Sequence, residues 1–350
     1  MKNLILLFAV LSTLASSVFA QNEWIYNKNP KSSGWNIKKI KKFNRYIIDS
    51  TKVTGLVIVY NGQIIYDYGD IRENSYIASC RKSVLSMLYG KYVENGTIDL
   101  NKTLKELKID DVKGILPIEQ KATIRDLISA RSGVYHPENY KGGLQQYAPK
   151  RGSVKPGTYW LYNNWDFNVA GFVFEQETKK SIYDEVEEQL VRPINMQDWN
   201  RNLQGKRGNI ALSKYLAYPM WFSTRDMARI GLLMLNKGNW YGQQVIPRHW
   251  VDEMLKQRTT HQEINNNVPI FKNKGVNFGY GYMWWLFENM QDKKFKNAYA
   301  ALGSMGQVIA VYPEINVVVA YKTKAAYRRS NKGKVKYDIL KKVAKLYNPI

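Results

Sequence analysis

The strongest constraint on the fold is the pairing of strand signals at the two ends of the chain. GLVIVY and QIIYDYGD, residues 55 to 70, are two apolar runs joined by Asn61-Gly62, the strongest short-range signal for a tight hairpin. A sheet therefore begins at about Gly55. Alternation returns only near the C-terminus, where FGYGYMWWLF, NAYAALGSMGQVIAVY and NVVVAYKTK read as consecutive antiparallel strands. Between them the signals are mainly helical, with TIRDLISARSG stopped by Gly133, Asp166 to Thr178, SIYDEVEEQLVRPI, STRDMARIGLLMLNKG and IPRHWVDEMLKQ. Ile37, Ile40, Phe43 and Ile47 recur at helical spacing before the first strand, and Lys334 to Tyr347 closes the chain as a helix. The expected fold class is α/β (α+β): an antiparallel sheet built from N- and C-terminal segments, flanked by helices, with a mainly helical insertion. The expected organisation is one catalytic unit over 21–350, its α/β part at about 21–78 and 205–350 and its helical part at about 79–204. A site would lie in the crevice between the two parts.

Residues 1–20 are set apart from the fold. Lys2, the run LILLFAVLSTLA and the ending Val18-Phe19-Ala20 have the layout of a secretory signal, so an exported protein, periplasmic or secreted, is expected. The run is too short to span a bilayer, and no later segment supplies about 20 apolar residues in a row. Cys80 is the single cysteine and excludes an internal disulfide. The net charge of +23 makes an anionic envelope surface a candidate partner. Nucleic acid is not expected, because the lysines are scattered without a reading motif. Oligomeric state is not readable.

The chemistry is narrowed by what is missing. His136, His249 and His261 form no H-E-x-x-H pattern, and one cysteine builds no thiolate site, so neither metal nor cofactor is expected. No G-x-S-x-G elbow announces a Ser-His-Asp hydrolase. Ser79-Cys80-Arg81-Lys82 remains, where sheet signals give way to helix. Residues i and i+3 share a helix face, so the Lys82 amine can reach the Ser79 hydroxyl, and a buried lysine can act as a base without histidine. The Ser79 N–H, at a helix N-terminus, is free to bind an oxyanion. With this many lysines about one or two such matches arise by chance, so the spacing permits the chemistry without requiring it.

Two further elements bear on it. Tyr162-Asn163-Asn164 places a phenol and an amide between a turn and a helix, although the chain has 25 tyrosines. Gly303-Ser304-Met305-Gly306-Gln307 opens a strand with two glycines, a mark of close approach by backbone or ligand. His136, in GVYHPEN, either supports the site or packs a loop.

Ser-x-x-Lys, Tyr-x-Asn and a glycine-containing strand motif, in this order and separated by roughly 80 and then roughly 140 residues, resemble the serine β-lactamase and penicillin-binding-protein superfamily. The likeness is to its class C β-lactamase-related branch, which includes esterases and 6-aminohexanoate-dimer hydrolases. It extends through LVRPINM, FSTRDMARIGLLMLNKGNWYGQQVIPRHWV and LGSMGQVIAVYPEINVVVAY. The resemblance implies a β-lactamase/transpeptidase-like fold and a cofactor-free serine hydrolase acting on a small-molecule or peptide-like ester or amide. It also implies Ser79 as the acylated nucleophile, Lys82 as its base and Tyr162 as the proton shuttle. Asn164 would bond Lys82 or the substrate, and the backbone N–H groups of Ser79 and Gln307 would form the oxyanion hole. Ser304-Met305-Gly306 occupies the place of the family's Lys-Thr-Gly, so Ser304 and Gly306 would line the substrate. Ser304 carries no charge for a substrate carboxylate, which favours esters and amides over β-lactams. The alternatives are a D,D-peptidase or β-lactamase acting on cell-wall peptides or β-lactams, and an inactive envelope-binding protein on the same fold.

Overall fold

The computed structural model describes residues 23–139, 144–272, 274–324 and 333–348; the expected signal segment lies outside the described residues. In chain order the elements are α1 (Ile37–Ser50), β1 (Gly55–Tyr60), β2 (Gln63–Gly69), β3 (Ser75–Tyr76), α2 (Cys80–Glu94), α3 (Ile124–Ile128), α4 (Asn164–Thr178), α5 (Ile182–Val186), β4 (Trp221–Phe222), α6 (Thr224–Leu235), β5 (Asn239–Trp240), β6 (Gln243–Gln244), α7 (Arg248–Leu255), α8 (His261–Asn267), β7 (Phe278–Tyr280), β8 (Trp285–Phe287), β9 (Tyr299–Leu302), β10 (Val308–Tyr312), β11 (Val317–Lys322) and α9 (Gly333–Ala344). Among the described residues no helix is long and apolar enough to cross a membrane.

Seven strands form one antiparallel sheet in the order β2-β1-β11-β10-β9-β8-β7, so the N-terminal hairpin adds to the edge of the C-terminal meander. Asn61 and Gly62 both have positive φ, 49° and 76°, the turn that matches the twist of a two-residue hairpin. β1 lies inside the sheet and is buried along nearly its whole length, as GLVIVY demands.

The sheet separates two helical layers. Along β10 and β11 side chains alternate: Tyr312 and Tyr321 donate to the carbonyls of Leu340 and Lys336 in α9, at 3.0 and 2.9 Å. On the other face Gly231 of α6 lies against Val318 and Ile309 so closely that a Cβ would stand 2.4 Å from Val318. α1 shares the α9 side, packing Phe43 edge-on to Tyr66 of β2. Phe43 and Ile47 are buried and Ile40 half-buried, whereas Ile37, expected on the same apolar stripe, is exposed in the first turn.

Three boundaries differ from expectation. FGYGYMWWLF is two strands, because Gly281 N–H turns back to Trp284 O and Met283 has φ 59°. NAYAALGSMGQVIAVY likewise divides into β9 and β10 around a turn at 303–307. α3 stops at Ile128, since Ala130 already has φ 61°, three residues before Gly133.

α2 lies at the centre of the molecule and is buried on all sides. Its two buried serines are accordingly satisfied: Ser83 and Ser86 donate to the carbonyls of Met283 and Tyr282, at 2.6 and 2.8 Å. Gly90 leaves room for Trp250 of α7, whose ring would otherwise meet a Cβ at 2.5 Å. This packing fixes the N-terminal end of α2.

Candidate active site

Ser79 is the residue preceding α2, half-buried, with φ −74° and ψ −7°. Ala78 before it has φ 49°, a left-handed conformation that a residue with a side chain adopts only when its surroundings impose it. One turn into α2, Lys82 is 1% exposed. Its Nζ lies 3.3 Å from Ser79 Oγ, 2.9 Å from Tyr162 Oη and 2.6 Å from Asn164 Oδ1.

All three partners are uncharged oxygens. A neutral amine has two N–H groups and one lone pair. Asn164 Oδ1 takes one N–H, while the Ser79 and Tyr162 hydroxyls can each donate or accept, so the cage satisfies both the amine and the ammonium. Burial first, and then the neighbouring Arg81 cation, hold the Lys82 amine well below the usual lysine range; Glu138 acts the other way. The rings of Tyr162 and Phe167 lie 4.1 and 4.4 Å from Nζ and retain some attraction for the charged form. Burial raises the Tyr162 phenol, against the pull of its hydrogen bond with Ser79, so it stays protonated at neutral pH. Trp285 stacks on Tyr162 at 5.5 Å and 26°, fixing the ring plane.

Local sequence positions Tyr162 and Asn164. Asn163 caps α4, its side-chain oxygen accepting from Trp165 N–H at 3.2 Å. Its amide also donates to Val134 O and Asp166 Oδ1, at 2.6 and 3.1 Å. The middle residue of Tyr-Asn-Asn thus clamps the turn, leaving the outer two to face Lys82.

The turn at 303–307 completes the setting. A Cβ on Gly303 would stand 2.8 Å from Ile77 O and 3.1 Å from Ala78 Cβ, so only glycine lets this turn lie against the residues leading to Ser79. Met305, in the same turn, has φ 61°, a second left-handed residue. Gln307 is fully buried, and its side chain is paired with the Thr323 main chain, donating to Thr323 O at 2.6 Å and accepting from Thr323 N at 3.2 Å. Among the described residues neither the Ser79 nor the Gln307 backbone N–H has a main-chain acceptor. Gly306 is buried beside them, and Ser304 is exposed at the tip.

His136 is not brought to this cluster. It is buried with its ring nitrogens on Val112 O and Pro137 O, 3.4 Å from Asp111 and beside Trp165. This corrects its expected supporting role: an imidazole with both nitrogens committed has nothing left for a substrate. Glu138, two residues on, is the side chain that loop delivers, its Oε2 accepting from Asn164 N–H at 3.2 Å. Arg81 is the other residue missed by sequence reasoning. It is buried, donates to Asn168 Oδ1 at 3.4 Å and lies 4.3 Å above the Tyr218 ring. Its place inside Ser-Cys-Arg-Lys was visible; its inward direction was not. Cys80 faces the sheet, its Sγ 3.5 Å from Ala301 O, and burial pushes its thiol up to about 12, so it offers no thiolate near neutral pH. No group of three or more His, Cys, Asp or Glu is placed to hold a metal among the described residues.

A family model described as Beta-lactamase matches residues 43–341. The chain belongs to the beta-lactamase family. An uncharacterized protein of Alkalihalophilus pseudofirmus is 22% identical over 319 residues, covering 81% of this chain and 85% of that one. A Bacillus anthracis protein assigned as a 6-aminohexanoate-dimer hydrolase superposes with a TM-score of 0.64 at 21% identity, over 86% of this chain and 81% of its own. A variant of simvastatin synthase from Aspergillus terreus gives 0.65 at 14% identity, over 89% and 98%. At these identities the structural likenesses show the fold, which is that of the beta-lactamase-family serine hydrolases.

Proposed function

We propose that this beta-lactamase-family protein is an exported serine hydrolase that cleaves an ester or amide through an acyl-enzyme on Ser79. The observation carrying the reading is the Lys82 amine, buried without a carboxylate partner among the described residues and within reach of Ser79 Oγ, Tyr162 Oη and Asn164 Oδ1. Ser79 Oγ attacks the substrate carbonyl while its proton passes to Lys82, directly or through Tyr162. The carbonyl oxygen becomes an oxyanion bound by the N–H groups of Ser79 and Gln307. Tyr162 returns the proton from the Lys82 ammonium to the leaving oxygen or nitrogen as that bond breaks. Water, deprotonated by the same pair, then attacks the acyl group, and Ser79 recovers its proton.

Ser304 bears on substrate class. An exposed hydroxyl at the turn can donate one hydrogen bond to a substrate but supplies no cation for a carboxylate, so neutral esters and amides suit the site better than β-lactams. The proposed unit spans 21–350, with the segment 1–20 removed on export to the periplasm or medium. Turnover of short-chain p-nitrophenyl esters, D-amino-acid amides and nitrocefin, measured in parallel, tests the reading. Esters or amides should be turned over fastest, and Ser79→Ala should fall to background with its circular dichroism unchanged. Full activity in Ser79→Ala would refute it.

A further inference from the structure

On the sheet face away from α6, α1 and α9 leave a groove of about 300 Å³. Its floor is Phe43, Tyr46 and Leu346; its rim is Lys39, Lys42, Lys294, Lys342 and Lys345, with no carboxylate in the lining. Lys39, Lys42 and Tyr46 stand one turn apart on one side of α1.

Two of these lysines are accounted for by the fold. Lys39 Nζ donates to Lys345 O at 3.1 Å, and Lys294 Nζ donates to Ala344 O and Tyr347 O at 3.1 and 2.6 Å, so both meet the carbonyl end of α9. The other three are not. Lys342 lies 4.6 Å over the Tyr46 ring, and among the described residues neither it nor Lys42 nor Lys345 has an ion-pair partner. Like charges gathered round an apolar floor repel one another unless something negative joins them. A neighbouring cavity of about 600 Å³, sharing Asn348, repeats the pattern with Trp35 and Ile37 between Lys31 and Lys38.

We propose that this face docks the protein on an anionic lipid bilayer. Phe43 and Leu346 are themselves buried, so the apolar surface offered is the half-buried Tyr46 ring and the lysine stems. Acidic headgroups would meet the ammoniums, while that ring and those stems meet the acyl boundary beneath. A polyphosphate or nucleic-acid chain would match the charge and leave the Tyr46 ring and the stems unused, so the lipid surface is the better complement. None of Ser79, Lys82, Tyr162, Asn164 or Gln307 lines the groove, so docking there uses no residue of the Ser79 cluster.

The test is co-sedimentation of the protein with vesicles of phosphatidylcholine alone or doped with phosphatidylglycerol. Binding should require phosphatidylglycerol and weaken by on the order of a hundredfold in Lys42→Glu/Lys342→Glu/Lys345→Glu. A charge-matched control, Lys105→Glu/Lys121→Glu/Lys155→Glu, removes exposed lysines of the helical part and should change binding by less than about threefold. Should the groove triple fail to fold, Lys42→Gln/Lys345→Gln should still lose roughly tenfold. Equal losses in the groove and control variants would overturn the proposal, since net charge alone would then be responsible. So would equal binding to undoped vesicles, displacement by inorganic phosphate beyond that by chloride at matched ionic strength, or a groove triple that loses long-chain polyphosphate but keeps the vesicles.

Discussion

Lys82 and Lys322 are each 1% exposed, yet they lie in regions that treat a buried amine in opposite ways. Lys82 is held by two hydroxyls and an amide oxygen at the end of α2, beside a half-buried serine. Lys322, at the end of β11, donates to Glu73 O and Phe222 O at 2.6 and 2.7 Å, joining β4 and the residues leading to β3 to the sheet. Carbonyls only accept, so the Lys322 cage favours the N–H-rich ammonium; hydroxyls return a proton as readily as they take it. The surrounding charges sharpen the contrast. Arg81 pushes Lys82 further in the direction burial already drives it. Glu73, Asp226, Asp70 and Asp198 all oppose burial at Lys322, which settles at about 8. On the proposed mechanism, burial alone does not make a general base. It needs partners that relay protons and a neighbour that discourages the charge.

The largest expected effect separates the two lysines directly. Lys82→Met should lower kcat/KM by at least about a hundredfold with thermal stability unchanged or raised, because removing a buried amine relieves its desolvation. Lys322→Met should leave kcat/KM within a few-fold; a large loss there would erase the contrast. Next comes Tyr162→Phe, which keeps the stack on Trp285 and removes the hydroxyl. It should lose about ten- to a hundredfold, more on amides than on esters, since an amine leaving group depends more on a delivered proton.

The third expectation is a pH profile. In the proposed mechanism the base is the neutral amine, so activity should fall as pH drops through the Lys82 pKa, and this acid limb should lie well below the usual lysine range. Arg81→Gln removes a cation that lowers that pKa; the limb should move to higher pH, with rates converging above it. A limb that stays in place would show that Arg81 does not act through Lys82. The smallest effect is on stability. With Lys322 near 8 when folded and in its ordinary range when unfolded, the unfolded chain binds more protons between about pH 8 and 10.4. Lys322 therefore makes the wild type gain stability as pH rises through that window, a gain Lys322→Met should lack. Urea titrations of both proteins at pH 7.5 and 9.5 measure the difference.

Much of the frame was legible because local chemistry agreed with the global fold. Asn61-Gly62 turned the hairpin, Ser223 capped α6 by accepting from Asp226 N–H, and the valine-rich β11 took a central position. The strand breaks were not legible, because Met283 and Met305 adopt left-handed backbone conformations that their sequence does not advertise. At the site, Ser79 and Lys82 could be paired from helical spacing, and Asn164 from the motif containing Tyr162. The burial of Arg81 and the arrival of Glu138 depend on packing between segments far apart in sequence, which periodicity does not encode. His136 drew attention because imidazoles commonly do chemistry, but the space between Asp111 and Trp165 absorbed it.

The most direct test of the Lys82 base is the rate at which Ser79 is covalently labelled by a fluorophosphonate probe, followed by intact-protein and peptide mass spectrometry across pH. One adduct is expected, on Ser79, absent in Ser79→Ala. Labelling should be slowed by at least about a hundredfold in Lys82→Met and be almost unchanged in Lys322→Met, with a wild-type acid limb well below the lysine range. Labelling of Lys82→Met at the wild-type rate, or an adduct that persists in Ser79→Ala, would contradict it.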